Sequence, residues 1–194
     1  MSSLAQLADL LDDNHLLEQV TAFYSWLKSN LEKECVGSEF IDAALESGTT
    51  ITHAGRPIRH ENAESLSFSD ESFDLVVSND VLEHVNNPAA ALAETGRVLK
   101  SGGEFFFSVP FYANLPEGRC RAALSEDGIE HFLPEEYHGN PMSSKGSLVF
   151  NDFGWDLLET MRNSGFGQVQ IRIYWSADYG YLGDPQYYFH AVRN

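Results

Sequence analysis

Residues Ser65 to Pro110 constrain the fold more than any other part of the chain. They read SLSFSDESFDLVVSNDVLEHVNNPAAALAETGRVLKSGGEFFFSVP, which parses as turn, strand, loop, helix, turn and strand. Phe73 to Ser78 is a short apolar, β-branched run, the pattern of a strand buried on both faces of a parallel sheet. Asn87 is placed to cap a helix whose first residue is Pro88, where the missing N–H costs nothing. Ala91, Leu92, Thr95, Val98 and Leu99 then recur at helical spacing and make one apolar stripe. Ser101-Gly102-Gly103 stops that helix, and Glu104 to Val109 forms the next strand, closed by Pro110. A βαβ unit of this kind is right-handed and belongs to an α/β sheet.

The segments SFDLVVSNDVLEHV and RVLKSGGEFFFSVP, at this separation, resemble the fourth strand, the following helix and the fifth strand of class I, Rossmann-like, S-adenosylmethionine-dependent methyltransferases of the type 11 group. The resemblance implies a mostly parallel sheet with an antiparallel last strand, and S-adenosylmethionine as cofactor. In that register Glu39 is the acidic residue at the end of the second strand that holds the ribose hydroxyls, and Asn62-Ala63 is the pair that meets the adenine edge. Asn79, Asp80 and Val81 lie where the methyl end of the cofactor would sit. His84 is the candidate base for a protonated acceptor, set against a packing role in the loop.

The family's first strand ends in a glycine-rich loop that lets backbone approach the methionine part of the cofactor. Upstream of Glu39 there is one glycine, Gly37. Ser2-Ser3 caps a run with Leu4, Leu7, Ala8, Leu10 and Leu11, and Asp12-Asp13-Asn14 precedes a second patterned run, His15 to Lys33. Both read as helices, so the usual first strand is expected to be absent. Either the second and fourth strands then close on each other, or a second copy of the chain supplies the missing element and a homodimer forms through the N-terminal helices.

Cys35 to Ser38 is a brief strand, Gly48 to Arg56 a turn, and Pro57 to Ala63 a weak strand. From Phe111 to about Val149 the chain is aromatic and without periodicity, and connections of about this length are usually functional. Beyond the carboxyl ends of the strands such a segment builds the substrate pocket, with Tyr112, Arg119, Arg121, His131, Tyr137 and His138 as candidate contacts and Tyr137 and His138 pointing inward. Arg119 and Arg121 suit a carboxylate or phosphate on a substrate, or else pair with neighbouring acids. His131 and His138 with Asp127, Glu135 and Glu136 lack metal-ligand spacing, and no metal is expected. Neither Ser108 nor Cys120 has a hydrolase context.

The C-terminal part supplies a helix from Asp152 or Gly154 to Gly165, a half-buried strand Gln168 to Trp175, and a last strand Tyr187 to Val192. A single domain over residues 1–194 is expected: N-terminal helices to 33, the cofactor half over 34–110, the insertion over 111–150, and the helix and hairpin over 151–194. The formal charge of −17 argues against a nucleic-acid partner. No apolar run is long enough for a membrane span, and Cys35 and Cys120 suit free thiols in a reducing cytoplasm. The function expected is methyl transfer to a small molecule or glycan-type acceptor; the alternative is a non-catalytic fold kept as a binding or assembly module.

Overall fold

In chain order the strands are β1 (Asn14–Leu16), β2 (Cys35–Gly37), β3 (Thr50–His53), β4 (Arg56–Arg59), β5 (Phe73–Asn79), β6 (Leu99–Ser108), β7 (Arg119–Cys120), β8 (Ala122–Ser125), β9 (Gly128–His131), β10 (Tyr137–Asn140), β11 (Ser143–Leu148), β12 (Asn151–Asp152), β13 (Phe166–Ser176) and β14 (Tyr181–Arg193). The helices are α1 (Ala22–Asn30), α2 (Pro88–Val98) and α3 (Leu157–Asn163), with a 3₁₀ turn at Leu82–His84. These come from a computed structural model that describes residues 13–30 and 35–194.

The main sheet has six strands in the order β13-β14-β6-β5-β1-β2. The four strands from β2 to β6 are parallel, while β14 runs antiparallel to β6 and β13 antiparallel to β14. This is the expected α/β, Rossmann-like arrangement with an antiparallel end. At the centre, β5 sends Val76 into one apolar cluster and Leu75 and Val77 into another. The first cluster contains Leu92 of α2, Met161 of α3, and Phe105, Phe107 and Phe189 of β6 and β14; the second contains Tyr24 and Leu27 of α1. Both faces of the sheet are therefore covered, which is why β5 reads as a continuous apolar run. Asn87 caps α2 as expected, its side chain accepting from Ala90 N at 3.1 Å. The helix ends at Val98, before the glycines, because Leu99 already turns extended into β6 and Gly102 (φ +77°) takes up a left-handed position within that strand.

The expected loss of the first strand is corrected. Asn14 to Leu16 pairs in parallel with Cys35–Gly37 on one side and with Leu75–Val77 on the other. The gap is filled from the chain's own N-terminal part, with no direct closure of β2 on β5 and no borrowed element. The second expected helix, His15–Lys33, accordingly starts at Ala22 instead of His15 and is described as far as Asn30. Leu16 and Leu17, neighbours that fit a helical stripe, point to opposite faces of the sheet and enter different clusters. Two-sided burial erases the alternation that would have betrayed a strand. The other expected helix, over Leu4 to Leu11, lies outside the described residues.

The insertion is also more ordered than its sequence suggests. β8 and β9 form one antiparallel hairpin, β10 and β11 another, and β7 pairs with β12. Their strands are short and largely exposed, so no apolar alternation marks them.

Candidate active site

The carboxyl ends of β1, β2 and β5 meet around a turn made by Leu17 to Thr21. This turn stands where the resemblance expects glycines, and each of its residues carries a side chain. Leu17 N donates to Val77 O at 3.0 Å and Gln19 N to Ser38 O at 2.9 Å, which ties the turn to both neighbouring strands. The Gln19 side chain reaches β4, donating to Pro57 O at 3.1 Å and accepting from Arg59 N at 2.8 Å. The Tyr24 ring crowds Gly37: a Cβ there would stand 2.5 Å from its Cε2 and 2.9 Å from Gln19 Cγ, so a side chain would not fit without a shift.

Two carboxylates sit beside this turn. Glu39 Oε2 accepts from the backbone N–H groups of Gln19 and Val20, at 3.1 and 3.3 Å. Glu18 accepts a close hydrogen bond from Asn79 Nδ2. Burial pushes the Glu39 carboxyl up to about 7, against those two N–H groups, and the Glu18 carboxyl also to about 7, with the Glu39 and Asp80 charges adding to it. Glu18 is the site residue that the sequence did not reveal, because its strand was unrecognised. Once Asn14–Leu16 is seen to be β1, an acid directly after the first strand is the signal that would have found it. Asn62 instead closes its own turn, accepting from Glu64 N at 3.0 Å, and Ala63 is packed in the core.

A cleft of about 960 Å³ opens between the ends of β5 and β6 and the hairpin β13–β14. Asp80, Ser108, Phe111, Tyr112, Tyr174 and Tyr187 are among its lining residues. Asp80 is held there in a left-handed conformation (φ +51°), its carboxylate accepting from Ser108 Oγ at 3.0 Å. Of the expected cofactor contacts, Asp80 reaches this cleft, and of the expected substrate contacts, Tyr112 does. The aromatic hairpin wall was not foreseen as part of a site.

Other candidates gather elsewhere. Arg119 and Arg121 both bind the buried Asp152, at 2.5 and 3.1 Å, and Arg121 also meets Glu136 at 2.9 Å. Their charges are thus matched within the chain, the second of the two roles expected for them. His131 faces Glu135 on the exposed side at 3.7 Å. On β10 successive side chains alternate, so Tyr137 and His138 cannot both point inward. Tyr137 is the correction: it is exposed, with its hydroxyl on Glu135, while His138 turns in to face Glu83. His84 Nδ1 lies 2.8 Å from Leu148 O, and burial lowers its pKa.

These shifts predict how stability depends on pH. His15, buried in β1 against Phe73 and Ser38, is held down to about 3 by burial and by the Arg59 charge. Its native state stays neutral while the unfolded chain takes up a proton, so His15 subtracts stability as pH falls below 6.5 towards 3. Glu18 and Glu39 act oppositely: with native pKa values above the ordinary 4.5, they subtract stability as pH rises from there to about 7. Each group contributes about 1.4 kcal/mol per pH unit inside its window. Glu83, raised by burial to about 8, acts in the same sense, so three acids outweigh one histidine, and stability is expected to peak near pH 4.5–5 and to decline towards pH 8. Urea titrations at fixed pH steps test this, and the Glu18→Gln, Glu39→Gln double variant should flatten the decline. A wild-type optimum above pH 7 would contradict it.

Comparison with known proteins returns one answer for the fold. Residues 20–107 match the model of a family described as a methyltransferase domain. A sarcosine/dimethylglycine N-methyltransferase of Aphanothece halophytica is 32% identical over 99 residues, covering 50% of this chain and 32% of that protein. A ubiquinone biosynthesis O-methyltransferase of Cereibacter sphaeroides is 28% identical over 149 residues, covering 67% and 57%. The chain thus spans between a third and three fifths of the length of these curated relatives. Among solved structures, an S-adenosylmethionine-dependent methyltransferase of Mesorhizobium loti superposes with a TM-score of 0.59 at 19% identity, over 95% of this chain and 91% of that one. The 1,6-didemethyltoxoflavin-N1-methyltransferase of Burkholderia thailandensis, solved with S-adenosylhomocysteine, gives 0.60 at 12% identity, over 99% and 77%. None of the described helices is long and apolar enough to cross a membrane.

Proposed function

We propose that this chain, which belongs to the class I, Rossmann-like family of S-adenosylmethionine-dependent methyltransferases, transfers a methyl group to an oxygen or nitrogen of a small molecule held in the Asp80–Tyr112 cleft. The observation that carries this is Asp80, which lines the cleft and directly follows Asn79, the residue that holds the Glu18 carboxylate at the end of β1. S-adenosylmethionine bears a sulfonium and an ammonium charge together with a ribose diol. Glu18, Glu39 and Asp80 offer the carboxylates that such a ligand requires, with Asn79 positioning Glu18. Glycines are missing from the turn, so its backbone is held by Gln19 and by the two N–H bonds to Glu39.

When bound, the cofactor supplies an electrophilic methyl group, and orientation accounts for most of the acceleration that remains. The aromatic wall of Phe111, Tyr112 and Tyr187 excludes water and aligns a flat acceptor, while Asp80 accepts a hydrogen bond from the acceptor's O–H or N–H. The relatives include both N- and O-methyltransferases acting on small molecules, which fits this acceptor class.

Calorimetry with S-adenosylmethionine tests the proposal. Micromolar binding is expected, tightening from pH 6 to pH 8 as Glu18 and Glu39 ionise through about 7 and attract a cation. Glu39→Gln should weaken it by roughly tenfold or more, the loss of one charge-assisted contact. No heat at millimolar ligand would reject the proposal and leave the binding or assembly module.

A further inference from the structure

We infer that Glu83, His84 and His138 form a binding site for a divalent transition-metal ion of the zinc class. The three residues come from two separate parts of the chain: the 3₁₀ turn after β5, and β10 of the insertion. One ligand atom from each lies within 4.8 Å of the others. Glu83 is the unusual member. Its side chain is fully buried, and neither carboxylate oxygen accepts a hydrogen bond from another residue. A carboxylate left so is costly unless an ion or a proton completes it.

The two imidazoles are arranged as metal ligands would be. His84 Nδ1 lies 2.8 Å from the Leu148 carbonyl, which can only accept, so the neutral ring carries its proton there. The Nε2 lone pair then faces Glu83, with 3.7 Å between Nε2 and Oε1. His138 presents Nδ1 to the same Glu83 Oε1 at 3.3 Å, and its other nitrogen faces Glu136 Oε1 at 3.6 Å. A carbonyl behind one histidine and a carboxylate behind the other are the outer partners that fix ring orientation around a bound metal. Donors about 2.0–2.1 Å from a tetrahedral zinc stand about 3.3 Å apart, close to the 3.3 and 3.7 Å that separate Glu83 Oε1 from the two imidazole nitrogens.

The donor set narrows the ion. Two imidazoles and one carboxylate suit zinc and its neighbours better than magnesium or calcium, which prefer oxygen alone. Both histidine side chains are partly exposed, 19% for His84 and 31% for His138, so a further coordination position faces solvent. The spacing of His131 and His138 gave no hint of this, because His131 is not a member. The inference does not rest on methyl transfer, and its test reads the metal alone.

The full chain, stripped with a chelator and dialysed, is titrated with zinc by calorimetry and with cobalt(II) by visible absorption. One ion per chain is expected, with micromolar or tighter affinity and the intense cobalt bands of a four- or five-coordinate site. His138→Asn, a change on a half-exposed hairpin, and Glu83→Gln should each weaken zinc by at least roughly tenfold. His131→Ala should leave the affinity unchanged. Absence of binding, weak six-coordinate cobalt bands, or zinc affinity retained in His138→Asn would each overturn the site. The cobalt spectrum of the unaltered chain keeps the test decisive even if a variant fails to fold.

Discussion

Replacing Leu16 by Ala is expected to destabilise the protein by about 2–5 kcal/mol, the range for truncating a fully buried aliphatic side chain. Leu16 has no exposed surface and packs with Tyr24, Leu27, Leu75 and Val77 on the α1 side of the sheet. It also sits in a strand with partners on both sides, so the cavity cannot close by moving an edge. Trp26 is the contrast, because it belongs to the same stretch that the sequence reads as one helix. It is 38% exposed and stacks on Phe23, and Trp26→Ala should cost about 1 kcal/mol, below the loss at Leu16. Urea unfolding of both variants measures the difference. Equal losses would mean that Leu16 does not occupy the sheet's interior.

The second large effect is expected at Asp152, and it concerns the insertion. This carboxylate is buried to 2% side-chain exposure, and in β12 it lies across from Arg119 in β7. It takes both arginines, while Arg121 continues to Pro134 O and Glu136 and so ties the two hairpins of the insertion to the body. Asp152→Ala would leave Arg121, 12% exposed, with part of its charge unmatched. Breaking a buried pair from one side costs about 3–5 kcal/mol. Arg119, 48% exposed, is worth far less: Arg119→Ala should cost below about 1 kcal/mol, as solvent screens that partner. Thermal melting gives the ordering, and trypsin should cleave at Arg121 or Lys145 sooner in Asp152→Ala than in wild type. Matching melting curves for Asp152→Ala and wild type would show that the arginines are satisfied without it.

Asp152 also shows why substrate roles are hard to read from arginines in an acidic chain. Arg119 and Arg121 have the chemistry to grip an anion, but a partner distant in sequence already takes them. Tyr112 stays at the cleft because it follows β6 directly, while the rest of the expected pocket segment folds into hairpins with business elsewhere. The cleft's far wall comes instead from Tyr174 and Tyr187 of the C-terminal hairpin. They share the cleft with Asp80 through the pairing of β14 with β6.

The unit β5–α2–β6 was legible because its signals are local. A β-branched run, an Asn-Pro helix start and one apolar stripe each act within a few residues, and they agree with one another. The antiparallel end was legible for a similar reason, since Val169 and Ile171 alternate with polar neighbours over a long strand. β1 had no such signals. It is three residues long, and no intrinsic preference distinguishes Asn-His-Leu as a strand. Its conformation is decided by the ladders that residues 35–37 and 75–77 offer on either side. Glu18 became visible with it, and the meeting of Glu83 and His84 with His138 depends in the same way on where a hairpin lands. Short-range chemistry can be read along a chain, but a contact between distant segments exists only once the sheet has brought them together.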